Sequence, residues 1–94
     1  MDTEMKKAIE YCHTLSKGEK KILSILNDFS IPLSSPHLED LMHNSKQALR
    51  YPLQKLLKKN LVIRKKEGKY LYEINKNSMI PIIDAYKKSL KYKE

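Results

Sequence analysis

The basic residues of this chain are concentrated in one stretch. Residues 45–70 contain nine lysines and arginines and a single acid, Glu67, which gives 26 residues a net charge of +8. The other parts of the 94-residue chain balance one another, so the whole net charge of +8 equals that of this block. A positive charge focused on neighbouring elements is typical of a surface that binds a polyanion, most commonly nucleic acid. The block therefore predicts a nucleic-acid-binding surface.

The first half of the block lies on a helix predicted over residues 46–59. Leucines three or four positions apart form the stripe expected to be buried: Leu49, Leu53, Leu56 and Leu57. The opposite side has no acid and mixes arginine, glutamine, tyrosine and lysine. Arginine and glutamine pair with guanine and adenine edges in a major groove. Base contacts are therefore predicted from Gln47, Arg50, Tyr51 and Gln54. Phosphate contacts are predicted from Ser45, Lys46, Lys55 and Lys58.

The second half of the block lies on a predicted β-hairpin. Residues 61–66 and 69–74 are rich in β-branched and aromatic residues and flank Glu67-Gly68, which predicts two strands joined by a tight turn. Four cations surround the tip and are suited to the DNA backbone or minor groove: Arg64, Lys65, Lys66 and Lys69. The alternative is that these lysines only keep a small domain soluble. Two adjacent elements that are basic together favour the nucleic-acid interpretation.

The remaining elements complete the order of a winged helix. Apolar periodicity predicts a helix over residues 2–14, and Ser16 with Glu19 forms a capping box that begins a second helix. Residues 31–33 form an extended link, and Ser35-Pro36 begins a short helix that ends at residues 43–45. Ser78 caps a final helix. The predicted fold is mainly α with a β-hairpin, a winged helix-turn-helix of order α-α-α-α-β-β-α.

We expect one domain over residues 1–94. It comprises an N-terminal helix (1–15), a winged-helix core (16–76) and a C-terminal dimerisation helix (77–94). Pro52 falls inside the basic helix, where it removes a backbone hydrogen bond and predicts a kink. The kink is interpreted either as a bend around the core, which we favour, or as a device that aims the N-terminal half into a groove. A third possibility is that the helix is broken there.

The chain resembles the ArsR-type winged-helix regulators over most of its length. Residues 15–26, LSKGEKKILSIL, are similar to that family's L-x-x-x-x-R-x-x-I-L-x-x-L opening. Residues 48–56, ALRYPLQKL, stand where the family has its S-x-H-L-x-x-L recognition helix, and residues 64–69, RKKEGK, with Tyr72 match its wing. Asn60 replaces the glycine of the family's G-L-V. Residues 9–16, IEYCHTLS, are also similar to a helix junction of archaeal Lrs14-like regulators.

The resemblance implies a homodimer held by the first and last helices. The residues themselves agree, because both terminal helices carry apolar stripes: Met5, Ala8, Cys12, Ile83, Tyr86 and Leu90. The alternative is that these stripes pack within one chain. A two-fold dimer would present two recognition helices to successive major grooves.

The sequence argues against several other classes. The nucleophile–base pairs, paired carboxylates and glycine-rich loops of known enzyme motifs do not occur, and we expect no enzymatic activity. Cys12 and His13 are adjacent and diverge on a helix, and His37 and His43 are six positions apart on roughly different faces, so no metal site is expected. No cofactor is expected either. No apolar run approaches the length of a membrane span, and a lone cysteine fits a reducing cytoplasm.

The expected function is that of a cytoplasmic, homodimeric, sequence-specific double-stranded DNA-binding transcriptional regulator of archaeal or viral type. Two alternatives remain open. One is a weakly specific architectural DNA-binding protein. The other is a winged helix that serves as a protein-interaction module in a larger assembly.

Overall fold

The computed structural model describes residues 3–29, 31–42 and 46–91, apart from the side chains of Lys46 and Gln47. Eight elements follow one another along the chain: α1 (Thr3–Glu10), α2 (Lys17–Asp28), β1 (Leu33–Ser34), α3 (Ser35–Met42), α4 (Lys46–Lys58), β2 (Val62–Glu67), β3 (Lys69–Ile74) and α5 (Lys76–Lys91). The strands form an antiparallel sheet of order β1-β3-β2. This architecture confirms the predicted winged helix. The predicted turn at residues 43–45 lies outside the described residues.

Helix α2 is the centre of the core. Its apolar face carries Ile22 and Leu23, both fully buried, and it contacts α1, α3, α4 and β3. The predicted capping box at its start is present, with Ser16 and Glu19 each accepting from the other's backbone N–H. Two lysines of its first turns reach the C-terminal ends of neighbouring helices. Lys20 Nζ donates to the carbonyl oxygen of Glu10 (2.8 Å) and Lys21 Nζ to that of Met42 (3.2 Å). These bonds satisfy carbonyl groups that a helix end leaves unpaired.

Several element boundaries differ from the prediction, most of them by one or two residues. Helix α1 ends at Glu10 rather than residue 14, because the capping box requires extended backbone at Ser16 and the chain must turn before it. Helix α3 is capped by Ser34, whose Oγ accepts a hydrogen bond from the backbone N–H of His37 (3.4 Å), and not by Ser35. Helix α5 begins at Lys76, two residues before Ser78. In addition, the extended link pairs with β3, with Leu33 opposite Tyr72.

Pro52 lies within an uninterrupted helix. Helix α4 runs through it, and Leu49 on its N-terminal side is buried as the leucine stripe requires, so the interpretation of a broken helix is wrong. The Pro52 ring is buried against Gly18, the second residue of α2, where a Cβ would lie 3.2 Å from the ring carbons. Pro52 therefore faces the core, and glycine at position 18 permits the close approach of α2 to α4. The bend of α4 around the core stays a prediction.

Asn60 ends the basic helix. Its φ of 64° is left-handed, and the hydrogen bonds Asn60 N–H to Leu57 O (3.1 Å) and Leu61 N–H to Leu56 O (3.0 Å) form a Schellman motif. The side chain of Asn75 donates to the carbonyl oxygen of Asn60 (3.0 Å). Asparagine thus performs here the role of the glycine that the resembled family carries, because it tolerates left-handed backbone better than other non-glycine residues.

Replacing Asn60 by alanine is expected to lower the free energy of unfolding by about 1 kcal/mol, because a Cβ without a compensating polar group is strained in left-handed backbone. Asn60→Gly removes that strain and is the matched control. Urea denaturation of the three proteins at one pH measures both changes. An alanine variant as stable as the glycine variant would contradict the proposed strain.

Candidate nucleic-acid interface

The outer face of α4 is exposed and free of acids over its described length. Arg50, Gln54 and Lys58 are exposed, and Tyr51 is 66% exposed. Lys55 is half-buried, and its Nζ lies over the Tyr51 ring, 5.0 Å from the centroid. The predicted residue Ser45 and the side chains of Lys46 and Gln47 lie outside the described part of the chain. The described members of the predicted helix set therefore share one solvent-facing surface.

The register of the hairpin divides its residues between two faces. Lys66 is opposite Tyr70, Arg64 is opposite Tyr72, and Glu67 pairs with Lys69, so Gly68 alone forms the turn with a φ of 76°. Opposed residues share a face, and successive residues alternate between faces. The helix-side face carries the buried residues of the hairpin and is defined by Val62, Arg64, Lys66, Tyr70, Tyr72 and Ile74. The outer face is defined by Ile63, Lys65, Glu67, Lys69, Leu71 and Glu73.

The helix-side face has two cations whose charge is not neutralised. The Arg64 guanidinium carbon lies 4.5 Å from the Tyr70 ring centroid, and Lys66 Nζ lies 5.8 Å from it. Among the described residues, no carboxylate lies within 4.0 Å of either cation. Tyr70 is 46% exposed. This end of the hairpin therefore offers two positive charges around an exposed ring.

The outer face differs in its electrostatics. Lys65 Nζ and Glu73 Oε1 form an ion pair of 2.8 Å, and that hydrogen bond with its charge attraction raises the pKa of Lys65. Lys69 stands opposite Glu67 in the register. The four cations predicted at the hairpin are thus not equivalent, because strand alternation places Arg64 and Lys66 on one face and Lys65 and Lys69 on the other.

Lys59 of the basic block is bonded to a buried carboxylate of the core. Lys59, just after α4, donates to Glu19 Oε2 (2.8 Å) and to the carbonyl oxygen of Thr14 (3.1 Å). The Glu19 side chain is 1% exposed. Burial acts to raise the pKa of Glu19, but hydrogen bonds from Lys59 and Ser16 outweigh it, and the pKa is lowered. Lys59 therefore fastens the end of α4 to the start of α2.

The terminal helices pack on each other within one chain. Met5 and Ala8 are 4% and 1% exposed: the apolar stripe of α1 is covered within the chain, where α1 packs on α5. Cys12, Ile83 and Tyr86 are half-buried, and the Tyr11 and Tyr86 rings stack with centroids 6.0 Å apart. Leu90 is 46% exposed. The contribution of all six predicted interface residues to a dimer stays a prediction.

A groove of about 340 Å³ lies between the α1–α2 junction and α5, with Cys12, Pro81 and Tyr86 in its lining. Within the described ranges, no three histidine, cysteine or acidic side chains are placed to hold a metal ion. No helix in the described part of the chain is long and apolar enough to cross a membrane.

Two features of the site escaped the sequence analysis. Tyr70 was not predicted to belong to the surface, although counting outward from Gly68 as a single turn residue would have placed it opposite Lys66. The Glu19–Lys59 pair joins residues 40 positions apart, and Glu19 was interpreted only as part of a cap. The local sequence pattern shows that Glu19 belongs to a capping box, but it does not show that Lys59 is its partner.

Comparison with known proteins supports the fold. No family model and no curated protein matches the chain. The crystal structure of the ST1889 protein from the thermoacidophilic archaeon Sulfolobus tokodaii is similar, with a TM-score of 0.61 and 21% identity over 93% of this chain and 91% of that one. The transcriptional regulator BldR from Sulfolobus solfataricus superposes with a TM-score of 0.62 and 22% identity over 89% of this chain. The chain spans 62% of the BldR chain. At these identities the likeness concerns the fold.

Proposed function

We propose that this protein is a sequence-selective, homodimeric transcriptional regulator that binds double-stranded DNA. Helix α4 enters the major groove, and the hairpin β2–β3, its wing, contacts the backbone or the minor groove. The observation that carries the proposal is the coincidence of unneutralised cations on the outer face of α4 and on the helix-side face of the wing. Helix α4 and strand β2 contact each other, which supports a single ligand that spans both sets of charges.

The chemistry of α4 favours base readout over simple charge attraction. Arg50 and Gln54 are exposed one turn apart on a helix of 13 residues, which is about 20 Å long and fits a major groove. The buried leucines fix which side of the helix faces outward. BldR, whose fold is similar, is described as a transcriptional regulator, which supports the same class of function for this chain.

Self-association through α5 is part of the proposal. Helix α5 has 16 residues and α1 has 8, so α1 is only half as long as the helix on which it packs. On α5, the side chains of Ile80 and Leu90 are 52% and 46% exposed. Apolar side chains at these positions are suited to a second copy of the same helix. A two-fold arrangement would place two α4 helices about 34 Å apart, one turn of DNA.

The test is a fluorescence-anisotropy titration of duplexes at several salt concentrations, with sedimentation analysis of the free protein. We expect a dimer that binds a selected duplex at least about 1000-fold more tightly than random duplex. A plot of log affinity against log salt concentration should have a slope of about −1 for each phosphate that the protein neutralises. Equal affinity for both duplexes would favour the architectural protein. A protein that binds no duplex at 50 mM salt would be an interaction module instead.

A further inference from the structure

Tyr70 and Lys65 illustrate two ways in which this wing holds a cation. Glu73 Oε1 accepts a hydrogen bond from the Lys65 ammonium group, and its negative charge offsets the charge of that lysine. The Arg64 guanidinium carbon lies over the Tyr70 ring, 4.5 Å from its centroid. A guanidinium group has five N–H donors, and a cation–π contact with one ring carries no opposite charge and leaves most of those donors available to a second ligand. The ring therefore restrains Arg64 without neutralising it.

We infer that Tyr70 is a positioning residue for DNA contact by the wing. Its ring holds Arg64 extended towards the phosphates or the minor-groove edge. This inference rests on the proposed function and adds to it a residue outside the predicted set. Arginine has several rotatable bonds, and their ordering on binding weakens the complex. Since the ring already orders the guanidinium group in the free protein, Arg64 loses less side-chain conformational entropy when DNA binds.

The placement of the ring supports this role. Tyr70 lies beside the turn at Gly68, near the tip of the hairpin, and its strand neighbour two residues on, Tyr72, is buried at 7% exposure and anchors the same face in the core. Tyr70 itself is 46% exposed and is not part of the buried core cluster. Its replacement should consequently change the wing surface and leave the fold intact. Lys66, 5.8 Å from the same ring, is held more loosely.

The experiment compares Tyr70→Leu, Tyr70→Phe and Arg64→Gln, singly and in combination, in the full chain. We expect Tyr70→Leu to weaken duplex binding about three- to tenfold, which reflects the ordering of one long side chain. The slope of log affinity against log salt should not change, because the number of neutralised phosphates is the same. Tyr70→Phe should retain wild-type affinity, whereas Arg64→Gln should lower the salt slope by about one.

The decisive comparison is the effect of Tyr70→Leu when Arg64 is already glutamine. A positioning role predicts that most of the effect disappears, because the residue to be positioned is absent. An effect of the same size with and without Arg64, or a Tyr70→Leu variant that binds like wild type, would overturn the inference while leaving the proposed function standing. Failure of the wild-type protein to bind duplex would overturn both. Thermal unfolding of each variant checks that the fold is retained.

Discussion

Arg50→Ala is expected to reduce the preference for a selected duplex over random duplex by about 10- to 100-fold, as expected for the loss of one bidentate guanine contact. Arg50 is exposed on the outer face of α4, and within the described residues no carboxylate forms an ion pair with it. Its guanidinium group is therefore available to a base. Affinity for random duplex should fall much less, because only one cation is lost. The measurement is the ratio of dissociation constants for duplexes recovered by selection and for scrambled duplexes.

Two wing variants serve as controls for Arg50. Lys66→Gln removes an unneutralised cation and should weaken both duplexes by the same factor, with the selectivity ratio unchanged. The double change Lys65→Gln and Glu73→Gln removes an ion pair with no net charge and should alter binding little. The pair is changed together because Lys65→Gln alone would leave the Glu73 carboxylate beside the DNA. If Arg50→Ala and Lys66→Gln affected the selectivity ratio equally, the assignment of base readout to α4 would be incorrect.

Glu19→Ala is expected to lower the free energy of unfolding by about 2–3 kcal/mol and the unfolding temperature by about 10–20 °C. The change removes the hydrogen bond from Ser16 N–H to Glu19 Oε1, which is one half of the capping box, and the buried hydrogen bond from Lys59, each worth about 1–1.5 kcal/mol. The Lys59 side chain is 38% exposed, so water can solvate its ammonium group in the variant, and leaving that group unpaired costs little stability. Calorimetry of the free protein measures the result. Because the pair fixes the end of α4, DNA affinity measured well below the unfolding temperature should fall as well.

Glu19→Gln separates the charge of Glu19 from its cap. Glutamine retains the capping box, so this variant should lose about half as much stability as Glu19→Ala near neutral pH. The Glu19 pKa is lowered in the folded protein, so its stabilisation is present above its unfolded pKa of about 4.3 and is lost as the pH falls through the lower folded value. The stability difference between wild type and Glu19→Gln should therefore shrink below about pH 4. A difference independent of pH would show that the carboxylate charge contributes nothing.

Features determined by neighbours along the chain were predictable. The capping box at Ser16, the leucine stripe that buries Leu49 and Leu56, and the hairpin around Gly68 each depend on a few consecutive residues. Their order was sufficient to predict a winged helix, and the charge distribution located its basic surface. The boundaries were less predictable, because a helix such as α1 ends where the next element's cap requires extended backbone.

Packing between distant segments explains where the prediction was incomplete. Met5 and Ala8 carry an apolar stripe that either a second copy or α5 could cover, and periodicity is the same in both cases. Pro52 is unusual in a helix, but only its contact with Gly18 shows that it faces the core. Such outcomes depend on which surfaces meet after the chain collapses.

The sequence by itself determined that this chain is a small winged helix with a charge of +8 concentrated on one helix and one hairpin, because caps, periodicity and charge are local properties. Only the tertiary structure decided how those cations are used. A register centred on Gly68 places Arg64 and Lys66 against Tyr70, and directs Lys65 to Glu73 on the other face. The packing of α2 against α4 brings Lys59 within hydrogen-bonding distance of Glu19. The physical reason is that net charge is additive along a chain, whereas neutralisation requires two groups within a few ångströms in space.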